Sequence, residues 1–406
     1  MEPSFGVYVH FPWCKQKCPY CDFLSLATSP ESIPQRAYTD AVLAELDRRG
    51  PLLEGRAVHS IFFGGGTPSL WEPRELGRVL AAIVARAEPG ARPEITVECN
   101  PSSFDQRVAT GLLEAGVNRL SLGVQSLDQQ RLGFLGRLHD GAGALAAVEL
   151  ALSAGFERVS ADLIFGVAGQ SPEAAADEVR RVVSLGPSHL SAYALTIEPG
   201  TEFGERSRRG RLPLLGDDAV ADSFAHVNET LVGLGFHHYE ISNYARPGHE
   251  SRHNLGYWRG EPYLGLGLGA WGTLPSPPAP RMATPEAATA PAHAVRYRNT
   301  PNLARYLEHA GSATVELEGP SPFIAAFEEL QPETLLLERL MLGLRLAEGV
   351  DLVRLERELG VAVRTERRER AIERWQKRGA LSLERDRLRL LPSHFVFADA
   401  VIRDVA

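Results

Sequence analysis

Cys14, Cys18 and Cys21 stand at spacings of four and three in a chain of 406 residues with one further cysteine, Cys99. Thiolates so close on one loop are soft ligands for a metal or a metal–sulfur cluster. A structural zinc asks for a fourth ligand nearby, and four-cysteine iron–sulfur runs supply a fourth thiolate. Here Asp22 and Phe23 come next and Cys99 is far along the chain. Three thiolates on a [4Fe–4S] cubane leave one iron open to a ligand, the arrangement of a reactive centre. Two of the chain's three lysines, Lys15 and Lys17, lie among the cysteines, between Cys14 and Cys18, and would offset thiolate and sulfide charge.

Short β-branched runs alternating with helical patterns must position this loop. "VYVHF", "SIFFGG", "EITVEC", "NRLSLGVQS", "RVSADLIFG" and "HLSAYALTIE" read as strands, and 36–49, 73–87, 104–115, 141–154 and 172–185 as the helices between them. Strand, helix, strand repeated about six times predicts a parallel sheet with right-handed crossovers, a partial (β/α)6 TIM-like barrel. Each strand ends in polar groups: His10, then the glycines and Thr67, then Glu98 and Asn100, Gln125 and Ser126, Asp162 within the fifth, Thr196 and Glu198. In such a barrel those ends share one face, where active sites are built.

With the loop "HFPWCKQKCPYCDF" in that place, the chain resembles the radical S-adenosylmethionine (SAM) superfamily. That resemblance implies a [4Fe–4S] cluster on Cys14, Cys18 and Cys21, with the amino and carboxylate groups of SAM on the open iron. Gly64-Gly65-Gly66-Thr67 follows an apolar strand, and its N–H groups could form a nest for an anion; it resembles the superfamily's glycine motif. "ECNP", "GVQS", "GRLH" and "DLIFG" resemble the coproporphyrinogen III dehydrogenase-like branch. The resemblance implies SAM contacts at Tyr8, Gly65 and Glu98, and a second SAM site at Tyr20, Gly66, Thr67, Gln125, Arg137 and Asp162.

"HNLGYW" carries His253, Asn254, Tyr257 and Trp258 in a glycine-rich stretch that reads as a loop. From spacing alone it is a packed aromatic loop with a hydrogen-bonded histidine. It also resembles a motif of HemW-type heme chaperones, which implies a heme contact at these four residues, with His237 and His238 as alternative ligands. That branch implies heme delivery to apo-haemoproteins of the respiratory chain and an electron donor such as flavodoxin or ferredoxin. Phe23 stands where the dehydrogenase pattern wants another cysteine, and Tyr8 lies close to the terminus where a longer arm is expected; both favour the chaperone branch. Coproporphyrinogen III dehydrogenation, two-SAM methyl transfer, and heme storage with a structural cluster stay open as alternatives. His10 is either a partner of a cluster sulfide or a satisfied barrel histidine, and Cys99 reads as structural.

The chain divides into a radical SAM core at 1–235, an accessory region at 236–273, a Pro/Ala-rich connector at 274–300 and a C-terminal winged-helix-like unit at 301–406. The formal net charge is −8 and Glu366, Glu369 and Glu373 interleave the arginines of the last long helix, which argues against nucleic acid. No run of eighteen apolar residues occurs, so no transmembrane span is expected. Four unevenly placed cysteines, and a strand-like "GVYVHF" at the very start, point to a reducing cytoplasm.

Overall fold

The computed structural model describes residues 5–54, 56–88, 90, 92–275, 294–312 and 321–406. Six parallel strands run in chain order: β1 (Phe5–Phe11), β2 (Val58–Gly65), β3 (Glu94–Cys99), β4 (Arg119–Gln125), β5 (Arg158–Phe165) and β6 (His189–Ala194). The helices α1 (Gln35–Arg49), α2 (Pro73–Val84), α3 (Gln106–Ala115), α4 (Gln129–Phe134), α5 (Gly141–Ala154) and α6 (Pro172–Val183) connect them. Local chemistry sets their ends. Asp105 and Asp140 accept from the third N–H of α3 and α5, and Gly116 and Gly155 close both in left-handed conformations.

Alternation along these strands separates two environments. Val7, Val9, Ile61, Phe63, Val97 and Leu120 are buried in the main apolar core. Tyr8 and Phe62, Glu98 and Ser121, Ser121 and Ser160, and Asp162 and Ser191 are cross-strand neighbours on the other, largely polar face. That face is built for binding rather than for packing.

The sheet is wider than six strands. After α7 (Glu202–Arg208) and α8 (Asp217–Gly233), strands β7 (His237–Glu240) and β8 (Asn243–Ala245) add antiparallel to β6 at one edge. After α9 (Arg252–Trp258), β9 (Tyr263–Leu266) pairs parallel with β1 at the other edge. β10 (Trp271–Pro275), β11 (Ala294–Asn299) and β12 (Ile324–Leu330) continue it antiparallel. The result is one open sheet of twelve strands. "GLGLGAWG", read as loop, therefore supplies the end of strand β9 and the start of β10. Gly265 makes the close approach possible, because a Cβ there would lie 1.8 Å from the Trp271 carbonyl. The expected connector keeps only 276–293 outside the described residues; its ends, Leu274–Pro275 and Ala294–Asn299, are ladder strands.

A second apolar core begins at Leu330 and runs to Val405, later than the expected boundary at 301. It follows α10 (Leu303–His309) and gathers α11 (Pro332–Gly343), α12 (Leu352–Leu359), α13 (Glu366–Lys377), α14 (Ala398–Val405) and a three-stranded sheet of β13 (Val350–Asp351), β14 (Leu381–Glu384) and β15 (Arg387–Leu390). The α10 helix itself (Leu303–His309) packs with α1 in the first core. Arg385 and Asp386 form the hairpin turn at φ 48° and 67°. No helix among the described residues is long and apolar enough to cross a membrane.

Candidate functional site

The three cysteines lie on the loop leaving β1. Trp13–Cys14 forms a two-residue parallel ladder with Leu26–Ala27, which folds the loop back on itself. The glycine turn after β2 clamps it: the Gly66 N–H donates to Phe11 O at 2.7 Å and the Thr67 N–H to Trp13 O at 2.8 Å. The Gly65 N–H donates to Glu98 Oε2 at 3.2 Å. These donors already have acceptors within the protein, so the turn is not the open anion nest expected from its composition. Glycine is needed for proximity instead, since a Cβ on Gly66 would lie 2.6 Å from the Trp13 carbonyl oxygen.

Two sulfurs receive side-chain donors. Thr67 Oγ1 donates to Cys14 Sγ and Arg137 Nη1 to Cys18 Sγ, each at 3.4 Å, while Arg137 Nη2 donates to Gly123 O at 3.0 Å. Burial raises the Cys14 thiol and pushes Cys21 up to about 11. Both are therefore protonated without a metal, and metal binding must release protons. The three thiols feel one another electrostatically. Among the described residues, however, no three Cys, His, Asp or Glu side chains converge as a single-ion site requires. A cluster that takes one thiolate per iron fits this spread better than one tetrahedral ion does.

Beside the loop, Tyr20 packs on Phe203 and lies within electrostatic reach of Arg137. Gln125 ends β4 at φ 64°, a left-handed conformation rarely taken by residues other than glycine. Asp162 accepts from Ser121 at 2.8 Å and Ser160 at 3.1 Å, and burial raises its carboxyl. Glu98 is pushed up to about 7, first by burial and then by the nearby Asp162 charge. His10 is the satisfied alternative: its Nδ1 accepts from Tyr8 OH and its Nε2–H donates to Leu24 O, both at 2.9 Å.

Tyr8, Gly65 and Glu98 open onto a large cleft of about 1350 Å³, walled on its far side by α11 and α12. His253, Asn254, Tyr257 and Trp258 line the same cleft. They sit on helix α9 rather than in a loop, because Ser251 caps its N-terminus by accepting from Asn254 N. His253 is buried against Phe62, with ring centroids 4.8 Å apart at 17°, and Tyr257 meets it edge-on at 4.5 Å. Its Nδ1 pairs with Ser60 Oγ at 2.8 Å while Nε2 has no protein partner. Burial lowers its pKa to about 3, which keeps the ring neutral. His238 is instead stacked on Tyr244 at 4.0 Å and bonded to Ile241 O, in the interior beneath the C-terminal unit.

The open parallel sheet with a three-thiol loop at its C-terminal edge defines a radical SAM protein. In agreement, the Radical SAM superfamily matches residues 8–182 and the HemN C-terminal domain matches residues 330–393. The chain is 42% identical over 276 residues to the heme chaperone HemW of Escherichia coli, covering 68% of this chain and 71% of that one. It is 35% identical over 403 residues to the heme chaperone HemW of Mycobacterium tuberculosis, covering 98% and 94%. The chain belongs to the HemW family. Its fold resembles that of coproporphyrinogen III oxidase (HemN) from Escherichia coli, at TM-score 0.77 over 100% of this chain and 90% of that one, with 20% identity. Radical SAM membership implies a [4Fe–4S] cluster and SAM.

Phe62, Ser60 and Trp271 were missed by sequence reasoning. Register with Tyr8 and with its hydrogen-bonded neighbours is the signal that places the first two beside the site, and no local motif marks Trp271.

Proposed function

We propose that this chain is a heme chaperone: it binds heme in the cleft walled by α9, β9–β11 and the C-terminal unit, and passes it to apo-haemoproteins of a respiratory chain. The observation that carries this reading is His253, a neutral imidazole whose Nε2 lacks any protein partner, set among the aromatic rings that line the cleft. An unpaired buried nitrogen is costly, and iron coordination removes that cost. Tyr257 would move aside for it, and Asn254 and Trp258 would border the porphyrin.

Cys14, Cys18 and Cys21 would hold the cluster, with Thr67 and Arg137 donating to its sulfur ligands. When bound, the cluster supplies the electron for reductive cleavage of SAM, received from a flavodoxin or ferredoxin. Tyr8, Gly65 and Glu98 would form one SAM site on the cleft side. Tyr20, Gly66, Thr67, Gln125, Arg137 and Asp162 would form a second on the thiol side.

Titrating haemin into cluster-loaded protein and into His253→Ala tests the reading. Saturable binding by the parent and a changed Soret band with weaker binding in the variant is expected. An unchanged spectrum and affinity would remove His253 from the site. Protoporphyrinogen formed from coproporphyrinogen III with SAM and reductant would replace the chaperone reading with that of a dehydrogenase.

A further inference from the structure

The cleft wall opposite the thiol loop is made by alternate residues of β9, β10 and β11. Trp271 and Thr273 pair across the ladder with Arg298 and Arg296, and all four line the cleft. Tyr297 and Asn299, the intervening residues, turn to the other face and are buried against Arg49. Strand alternation thus fixes Arg298 on the cleft side.

Six arginines line this cleft, and five are engaged. Arg259 makes two bonds to Glu348 at 2.8 and 3.1 Å, and Arg296 two to Glu338 at 2.9 and 2.6 Å. Arg354 pairs with Glu358 at 2.6 Å, Arg387 with Asp351 at 3.9 Å, and Arg339 donates to the Arg259 carbonyl. Arg298 has no oxygen partner among the described residues, and its Nε is buried without an acceptor. Its guanidinium lies over the ring of Trp271, 5.5 Å from the centroid. Trp271 is itself 41% exposed, and Phe23, 59% exposed, lines the same cleft.

A guanidinium seated over an aromatic ring, with its donors unspent, matches a carboxylate carried by a flat apolar body. We propose that Arg298 binds a propionate carboxylate of the porphyrin while Trp271 packs against the macrocycle, so that the acidic edge of the ligand enters on this side and the iron faces His253. This rests on the heme-binding reading and adds an orientation to it. The placement is consistent on both sides of the pocket. Arg298 lies within electrostatic reach of His10, whose neighbour Tyr8 stacks on His253 at 6.4 Å. The carboxylate of SAM is the competing source of the same chemistry. The porphyrin is favoured because the sulfur-side guanidinium, Arg137, already stands at the thiol loop.

The test uses full-length, cluster-loaded protein and the variants Arg298→Met and Arg298→Lys, with three probes: haemin, haemin dimethyl ester and SAM. Arg298→Met is expected to weaken haemin roughly ten- to hundredfold, the equivalent of one charge-assisted hydrogen bond. It should leave the ester and SAM unchanged, and Arg298→Lys should recover part of the loss. Equal weakening of haemin and its ester would overturn the proposal, as would unchanged haemin affinity. Weakening of SAM alone would assign the guanidinium to the SAM carboxylate and overturn it as well. Failure of the parent protein to bind haemin would instead sink the heme reading itself, so the two failures are told apart by the unmutated chain.

Discussion

Replacing Glu98 by Gln is expected to make the metal-free protein more stable, and more so as pH rises. Glu98 has an ordinary pKa of 4.5 that the fold pushes up to about 7, by burial and by repulsion from Asp162. Below pH 4.5 the folded and unfolded chains are both protonated there, and the group contributes nothing. As pH climbs, the unfolded chain releases its proton while the folded chain keeps it, so stability falls until the folded group also ionises near pH 7. At about 1.4 kcal/mol per pKa unit, the cost of the charge grows from about 1 kcal/mol at pH 5 to about 3 kcal/mol at pH 8. These are upper figures, because Glu98 opens onto a wet cleft. Glutamine keeps an acceptor for the Gly65 N–H and carries no charge. Urea unfolding of the cluster-free, reduced protein at both pH values should show a Glu98→Gln advantage that widens by about 2 kcal/mol from pH 5 to pH 8. An advantage that does not change with pH, or a variant weakened equally at both, would refute the electrostatic account. A site that keeps such a costly acid is one where function outweighs stability.

Glu45→Ala strips the buried Arg49 of its carboxylate and leaves Tyr306, Asn299 and the Gly267 N–H without their shared acceptor. A loss of about 3–5 kcal/mol is expected by thermal unfolding, largely relieved in the Glu45→Leu/Arg49→Met double variant. Gly66→Ala drives a methyl into the Trp13 backbone and should lower iron and sulfide content after anaerobic reconstitution while far-ultraviolet dichroism stays unchanged. Thr67→Val and Arg137→Met each remove a donor to a thiol sulfur. Each should shift the cluster's midpoint potential downward by about 40 mV, the one-electron equivalent of about 1 kcal/mol, as read by spectroelectrochemistry.

The parallel core was legible because its signals are local. Apolar alternation and Gly, Asp or Ser punctuation mark strands and helices within ten to fifteen residues, and 141–154 coincides with α5. The cysteine spacing is likewise local. The two sheet edges were obscured because glycine there serves close packing, which looks like loop composition; Gly265 under Trp271 is the clearest case. β11 was hidden by the Pro/Ala-rich segment that leads into it. Helix α9 was hidden by its own Gly256, where a Cβ would come within 2.9 Å of His59. The Glu45–Arg49 pair reads as a solvated helix face in "AELDRRG", and only partners some 220 to 260 positions away reveal that it is interior. Arg298 carries no motif at all, and its availability emerges only once every other arginine of the cleft has been matched to an acceptor.

The C-terminal wall of the cleft has a consequence for biosynthesis. Thr67 and Arg137, the side chains that donate to Cys14 and Cys18, lie within the first third of the chain, whereas Phe203, which packs on Tyr20 of the thiol loop, follows later. The opposing wall, from Leu335 to Leu359, emerges about two hundred residues after Arg137. Until it folds, that face of the sheet lacks its outer wall, and the cleft is complete only when the last quarter of the chain is in place.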